Sequence, residues 1–349
     1  MVSALDREIL RRLPKAELHC HLDGSVRAET LLDLGREYGV AMPAADAASL
    51  RRYMHVSDAR SLEEYLERFA VTVSVMQTAD ALERIAYELA EDAVGDGVRY
   101  LEIRFAPILN VQRGLSLGAA LEAPLRGLAR AERDFGVIGR VIVIALRNML
   151  PDVSLELARL AVAYRRRGVA GFDLAGAEVG YPAGAHAAAF QYAREHDLAC
   201  TCHAGEGDGA PSVREAVHRC CAHRIGHATR LIEDLSLVQY VNDRRIPLEI
   251  CLTSNVQTKA VASYADHPLR EYYDRGMMVV LNTDNRLMSD TTLTDEYAAA
   301  AQHLGFTFVE LCDLARNSFA SAFLPWEQRA ELLAEVESEI ALLCREARQ

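Results

Sequence analysis

Several things are missing from this 349-residue sequence, and each absence removes a class of protein. No run of ~18 apolar residues occurs, so nothing in it reads as a bilayer-spanning helix. The most apolar stretch, 137–146, is broken by Gly139 and Arg140. The first residues, MVSALDREILRRLPKAE, are charged throughout and lack an apolar h-region, which argues against a secretory signal. Basic residues are outnumbered, 38 Lys+Arg against 50 Asp+Glu for a net charge of −12. Nucleic-acid backbones and anionic membranes would repel such a surface and are not expected as partners. Glycine and proline are scarce, at 21 and 10 residues, while half the chain is apolar and a quarter charged. That excludes collagen-like, low-complexity and mainly disordered chains. The eight cysteines form no Cys-x-x-Cys pair and are too sparse for a disulfide framework. Reduced, buried thiols in a cytoplasmic protein are the expectation.

What is present is an alternation. Short apolar, β-branched runs at 17–22, 99–105, 140–145, 171–174, 199–203, 224–227, 248–252 and 278–282 read as strands. Segments of helical period lie between them, at 82–93, 117–134, 155–166, 186–196, 211–218 and 232–241. Eight strands, most followed by a helix, describe an α/β protein, and eight parallel strands close a (β/α)8 TIM-type barrel. An open doubly wound sheet is the rival, but no G-x-G-x-x-G follows any strand. Residues 28–97 are too many for one connection and predict extra helices over the C-terminal mouth of the barrel. Within them Leu62, Tyr65, Leu66 and Phe69 make an apolar stripe at helical spacing. Such a stripe either packs onto the body of the fold or covers an apolar site. Residues 326–348 read as a last amphipathic helix. With no repeat and no Pro/Gly/Ser linker, 1–349 is expected to be a single domain.

Candidate chemistry gathers at strand ends. His19 and His21 end the first strand two residues apart, so they share a face and Cys20 points the other way. His203 ends the fifth strand, with Glu206 three residues on in the glycine-rich turn Gly205–Gly207–Gly209. His227 ends the sixth, and Asp284 the eighth. In a barrel these C-terminal ends lie on one rim, where catalytic groups are assembled. Three imidazoles and a carboxylate (His19, His21, His203, Asp284) suit Zn²⁺, with Fe²⁺ and Mn²⁺ taking similar ligands. An ion so held lowers the pKa of bound water to about 7. Glu206 and His227 remain beside it for acid/base work. Lys15 and Glu17 read as solvated strand-edge charges. The remaining histidines, 55, 186, 196, 218, 223, 267 and 303, read as structural or exposed.

The segments AELHCHLDGS (16–25), DLAGAE (173–178), HAGEG (203–207), RIGHA (224–228), LEICLTSN (248–255) and LNTDN (281–285) together resemble the adenosine deaminase family of metal-dependent amidohydrolases, in order and spacing. The resemblance implies a barrel with one Zn²⁺ per chain and hydrolysis of adenosine and 2′-deoxyadenosine to the inosine products plus ammonia. Water would be the nucleophile and a small purine nucleoside the partner. It implies metal ligation by His19, His21, His203 and Asp284, and general acid/base catalysis by Glu206 at purine N1. His227 would orient the attacking water, with Asp284 also accepting from it. For the substrate it implies contacts from His21, Gly176 (purine N3) and Asp23 (ribose 5′-hydroxyl), under an apolar lid of Leu62, Tyr65, Leu66 and Phe69. The family commonly has two consecutive aspartates at the strand-8 end; here the second is Asn285, whose NH2 can donate to N7. That departure keeps two alternatives open: a 5′-extended nucleoside such as 6-aminodeoxyfutalosine, from the menaquinone route, and free adenine. The other zinc deaminase pattern, H-x-E with P-C-x-x-C, is absent.

Overall fold

The computed structural model describes residues 7–56 and 68–346. Eight strands carry the architecture: β1 Lys15–His21, β2 Val98–Phe105, β3 Ile138–Leu146, β4 Val169–Ala175, β5 Ala199–Ala204, β6 Arg224–His227, β7 Leu248–Ile250 and β8 Val279–Leu281. Consecutive strands pair in parallel from β1 to β8, the order that right-handed crossovers through intervening helices produce. β3 shows why these residues choose a strand: Val141–Ile142–Val143–Ile144 are all β-branched and all buried.

The sheet closes on itself. His21 N donates to the Asp284 carbonyl (2.7 Å) and Asp284 N to the His19 carbonyl (2.9 Å). Just below, the Asn282 side chain substitutes for backbone, its Oδ1 accepting from Leu18 N at 2.8 Å. The result is a (β/α)8 barrel, with helices Ala28–Tyr38, Ala47–Met54, Phe69–Val75 and Ala79–Gly95 between the first two strands. The stripe residues Leu62, Tyr65 and Leu66 lie outside the described residues.

Closure corrects one reading. Lys15 and Glu17 are not solvated edge residues, because a closed barrel has no edge: both are completely buried. Lys15 Nζ donates to the carbonyls of Leu10 (2.6 Å) and Leu13 (2.7 Å). Glu17 pairs with Arg286 at 2.5 Å. Strand 7 also stops sooner than its apolar run suggests. A helical turn, Leu252–Gln257, takes over and carries Ser254 and Asn255 inward.

The barrel interior is not a plain aliphatic core. Arg104 Nη1 donates to Asp173 Oδ2 and Nη2 to Glu249 Oε2, both at 2.9 Å. Arg224 Nε donates to the other Glu249 oxygen at 2.6 Å and its Nη2 to Glu102. Burial opposes the charge on Arg104, but Glu249 and Asp173 outweigh it and its pKa stays raised. Removing one member strands buried charge. Arg104→Met is expected to cost about 3–5 kcal/mol, read as a lowered denaturant midpoint. A loss under about 1 kcal/mol would show that Asp173 and Glu249 do not depend on it.

Candidate active site

Strand ends 1, 5 and 8 bring His19, His21, His203 and Asp284 together, their ligand-capable atoms all within 4.8 Å of one another. Asp284 Oδ1 lies 3.4 Å from His19 Nε2 and 3.3 Å from His21 Nε2. His21 and His203 face each other through Nε2 at 3.1 Å. Two of the three imidazoles are aimed from behind. His19 Nδ1 donates to Glu249 Oε2 at 2.8 Å, and His203 Nδ1 to Asp173 Oδ1 at 3.2 Å, which leaves both Nε2 lone pairs pointing inward. Asp284 is held by Ser254 Oγ, which donates to Oδ2 at 2.6 Å. Gly226 makes the space: a Cβ there would sit 2.9 Å from His19 Cε1.

The electrostatics suit a cation. Burial pushes His21 well below its usual pKa and lowers His203, so both are lone-pair donors. Burial opposes a proton on His19 as well, but Asp284 and Glu249 reverse that and raise it. Carboxylates that favour a proton there favour a metal ion equally. Despite burial, the surrounding imidazoles hold Asp284 well below the usual carboxylate range. His19 Nε2 is buried with no hydrogen-bond partner, as a nitrogen that would ligate a divalent ion should be.

Beside this cluster, His227 Nε2 lies 3.5 Å from Glu206 Oε2, and Glu206, His227 and Asp284 form a second convergent group. His227 (φ 62°) and Asp284 (φ 61°) both adopt the left-handed backbone conformation, strain of the kind that collects at functional sites. Glu206 rides on a turn fixed by one carboxylate. Glu178 accepts from Gly205 N (2.6 Å), Glu206 N (3.0 Å), Gly207 N (2.6 Å) and Asp208 N (3.0 Å), and also from Ser212 Oγ.

These groups open onto a cavity of about 240 Å³. Phe69, Ala106, Leu109, Ile144 and Leu146 give it apolar walls, and Asp23, Gly176, Glu206, His227 and Asn285 line its polar side. Burial raises the Asp23 pKa to about 7. Its Oδ1 has no hydrogen-bond partner, and neither does Asn285 Oδ1. Gly24 is what lets Asn285 fit, since a Cβ at 24 would lie 1.7 Å from that oxygen.

The described candidates therefore meet at one place, Phe69 included. Residue-by-residue reasoning missed the groups behind them: Asp173, Glu178, Glu249, Ser254, Asn255 and His267. One signal was available. Asp173 and Glu249 each interrupt an apolar strand of a sheet covered on both faces, where an unsatisfied charge would not be tolerated.

A closed parallel barrel with a His3Asp cluster and a carboxyl–imidazole pair on its C-terminal rim defines a metal-dependent hydrolase. The comparisons make the class specific. The chain belongs to the adenosine deaminase family, whose model matches residues 14–339. It is 44% identical to the adenosine deaminase of Mycobacteroides abscessus, an alignment spanning 96% of this chain and 97% of that protein. Among solved structures it resembles adenine deaminase from Arthrobacter aurescens, with a TM-score of 0.87 and 32% identity over 94% of this chain and 99% of that one. It also resembles a zinc-bound amidohydrolase from Burkholderia ambifaria, with a TM-score of 0.88 and 27% identity over 99% of this chain and 95% of that one. The protein is an enzyme, a deaminase with a metal cofactor.

Proposed function

We propose that the enzyme hydrolyses adenosine and 2′-deoxyadenosine to inosine and 2′-deoxyinosine with release of ammonia, using one Zn²⁺ per chain. The observation that carries this reading is the joining of the His19–His21–His203–Asp284 cluster to a small, apolar-walled cavity with Glu206 and His227 at the junction. When bound, the ion would supply an acidified water as nucleophile at neutral pH.

The chain's own residues do the rest. Glu206 takes a proton from the attacking water and delivers it to purine N1, where electrons accumulate as C6 is attacked. His227 and Asp284 orient the oxygen. Asn285 donates its amide NH to N7, and the Gly176 amide, held at φ 97°, meets N3. Asp23, with a buried oxygen lacking a hydrogen-bond partner, receives the ribose 5′-hydroxyl. Phe69, Leu109, Ile144 and Leu146 shield the purine and exclude bulk water.

Asp23 also sets the substrate class. Free adenine would leave its carboxyl buried and unpaired, and a 5′-phosphate would put like charge against it. We expect kcat/KM for AMP to fall at least about 100-fold below that for adenosine, a difference of about 2.7 kcal/mol. Asp23→Asn should narrow the gap by raising KM for adenosine. Equal use of AMP and adenosine would remove Asp23 from this role. The overall test is a panel of 6-aminopurines (adenine, adenosine, AMP and 6-aminodeoxyfutalosine) assayed by ultraviolet absorbance with metal content measured on the same sample. Adenosine should lead, and a zinc-loaded protein inert toward all of them would end the proposal.

Two further points belong to this reading. The catalytic unit is taken as one domain spanning 1–349. Its compartment is taken as the cytoplasm, on the strength of eight unpaired thiols; among the described residues no helix is long and apolar enough to cross a membrane.

A further inference from the structure

His227 faces Glu206 through Nε2, and whether that nitrogen carries a proton decides which of the two groups can act as a base. A chain of hydrogen bonds behind the ring fixes the answer. Leu269 N donates to His267 Nδ1 at 3.0 Å, so the single proton of a neutral His267 sits on Nε2. His267 is buried, and burial pushes its pKa down to about 3, so the ring is neutral. Its Nε2–H donates to Asn255 Oδ1 at 3.2 Å. With the oxygen committed there, the amide turns Nδ2 toward His227 Nδ1, 2.9 Å away. An amide NH2 only donates, so His227 Nδ1 must accept, and the ring proton is left on Nε2. The relay starts at a main-chain amide, which cannot reverse its role.

We propose that His267 and Asn255 are positioning residues that lock His227 as the Nε2–H tautomer, so that His227 donates to the attacking oxygen while Glu206 alone takes its proton. The consequence, though not the tautomer, rests on the deaminase reading. In that reaction an O–C6 bond forms and the C6–N bond breaks. Of the two water protons, one passes through Glu206 to N1 and the other leaves in ammonia. A lone pair on His227 Nε2 would compete for the first proton. An Nε2–H instead stabilises charge on the oxygen.

Long-range ¹H–¹⁵N spectra of the zinc-loaded protein test the tautomer directly, with the His227 signals assigned by their loss in His227→Gln. The expected spectrum has an unprotonated Nδ1 and a protonated Nε2. Asn255→Asp offers only acceptor oxygens, so it should move a proton onto Nδ1. It should lower kcat by about 100-fold or more with KM held within about threefold, since a wrong histidine tautomer costs up to about 10⁴ elsewhere. His267→Phe should show the same kcat loss, whereas His267→Gln, whose amide can still donate to Asn255 Oδ1, should stay within about tenfold of wild type. A proton on Nδ1 in the wild type overturns the proposal. So does an Asn255→Asp enzyme with kcat within about threefold of normal, or one whose kcat and KM decline together. If a variant does not fold, the wild-type spectrum decides alone. If the wild type fails to deaminate adenosine, the spectrum still reports the tautomer, so the two readings fail separately.

Discussion

Glu206→Gln is expected to abolish adenosine turnover while the protein keeps its metal and its fold. The substitution changes one oxygen to NH2 and preserves volume, so the Glu178 carboxylate still accepts from the turn's backbone amides at 205–208. What disappears is the group proposed to accept a proton from water and return it to N1. A general acid/base contributes about 10²–10⁴-fold, and in the proposed reaction Glu206 serves in two transfers, so kcat should fall by at least about 10³-fold. Metal content by elemental analysis should match the wild type, because Glu206 is outside the His19–His21–His203–Asp284 set. Residual activity above about one tenth of normal would assign the proton transfers to another group.

His19→Ala is expected to produce the opposite pattern: a folded protein that no longer retains the ion. His19 is completely buried, and its Nε2, the atom proposed as ligand, has no hydrogen-bond partner of its own. Its loss leaves Glu249 still accepting from Arg104 (2.9 Å), Arg224 (2.6 Å) and Thr201 (3.0 Å), so the charge beneath the site stays satisfied. The fold should therefore survive with a modest drop in melting temperature. Groups that merely orient a metal ligand are worth about 10–100-fold in affinity, and removal of a ligand exceeds that. Metal content after dialysis should be near zero and activity lost with it. Full metal occupancy in His19→Ala would contradict the ligand assignment.

The contrast between these two variants marks what could be seen in the sequence. His19, His21, His203, His227 and Asp284 stand at the ends of apolar runs, and strand ends of a parallel barrel share a rim, so one-dimensional spacing was enough to gather them. The turn residue Glu206 was found the same way. The supporting shell was hidden because its partners are distant along the chain: Arg104 and Glu249 are 145 residues apart, and Arg224 and Glu102 are 122 apart. Periodicity shows that such residues are buried but not what they touch. Lys15 and Glu17 failed for a related reason. Their charges suggest solvent only if the strand has an edge, and closure between His21 and Asp284 removes it. His267 looked like one more structural histidine. Its partner, Asn255, reaches His227 only because strand 7 ends at Ile250 and the chain coils into a helical turn.

Zinc titration of metal-free protein, with adenosine conversion followed by ultraviolet absorbance, tests the central claim most directly. Activity should be absent without the ion, rise in proportion to added zinc and level off at one equivalent per chain. Deamination that proceeds undiminished in the stripped protein would contradict the account, as would a zinc-saturated protein that leaves adenosine untouched.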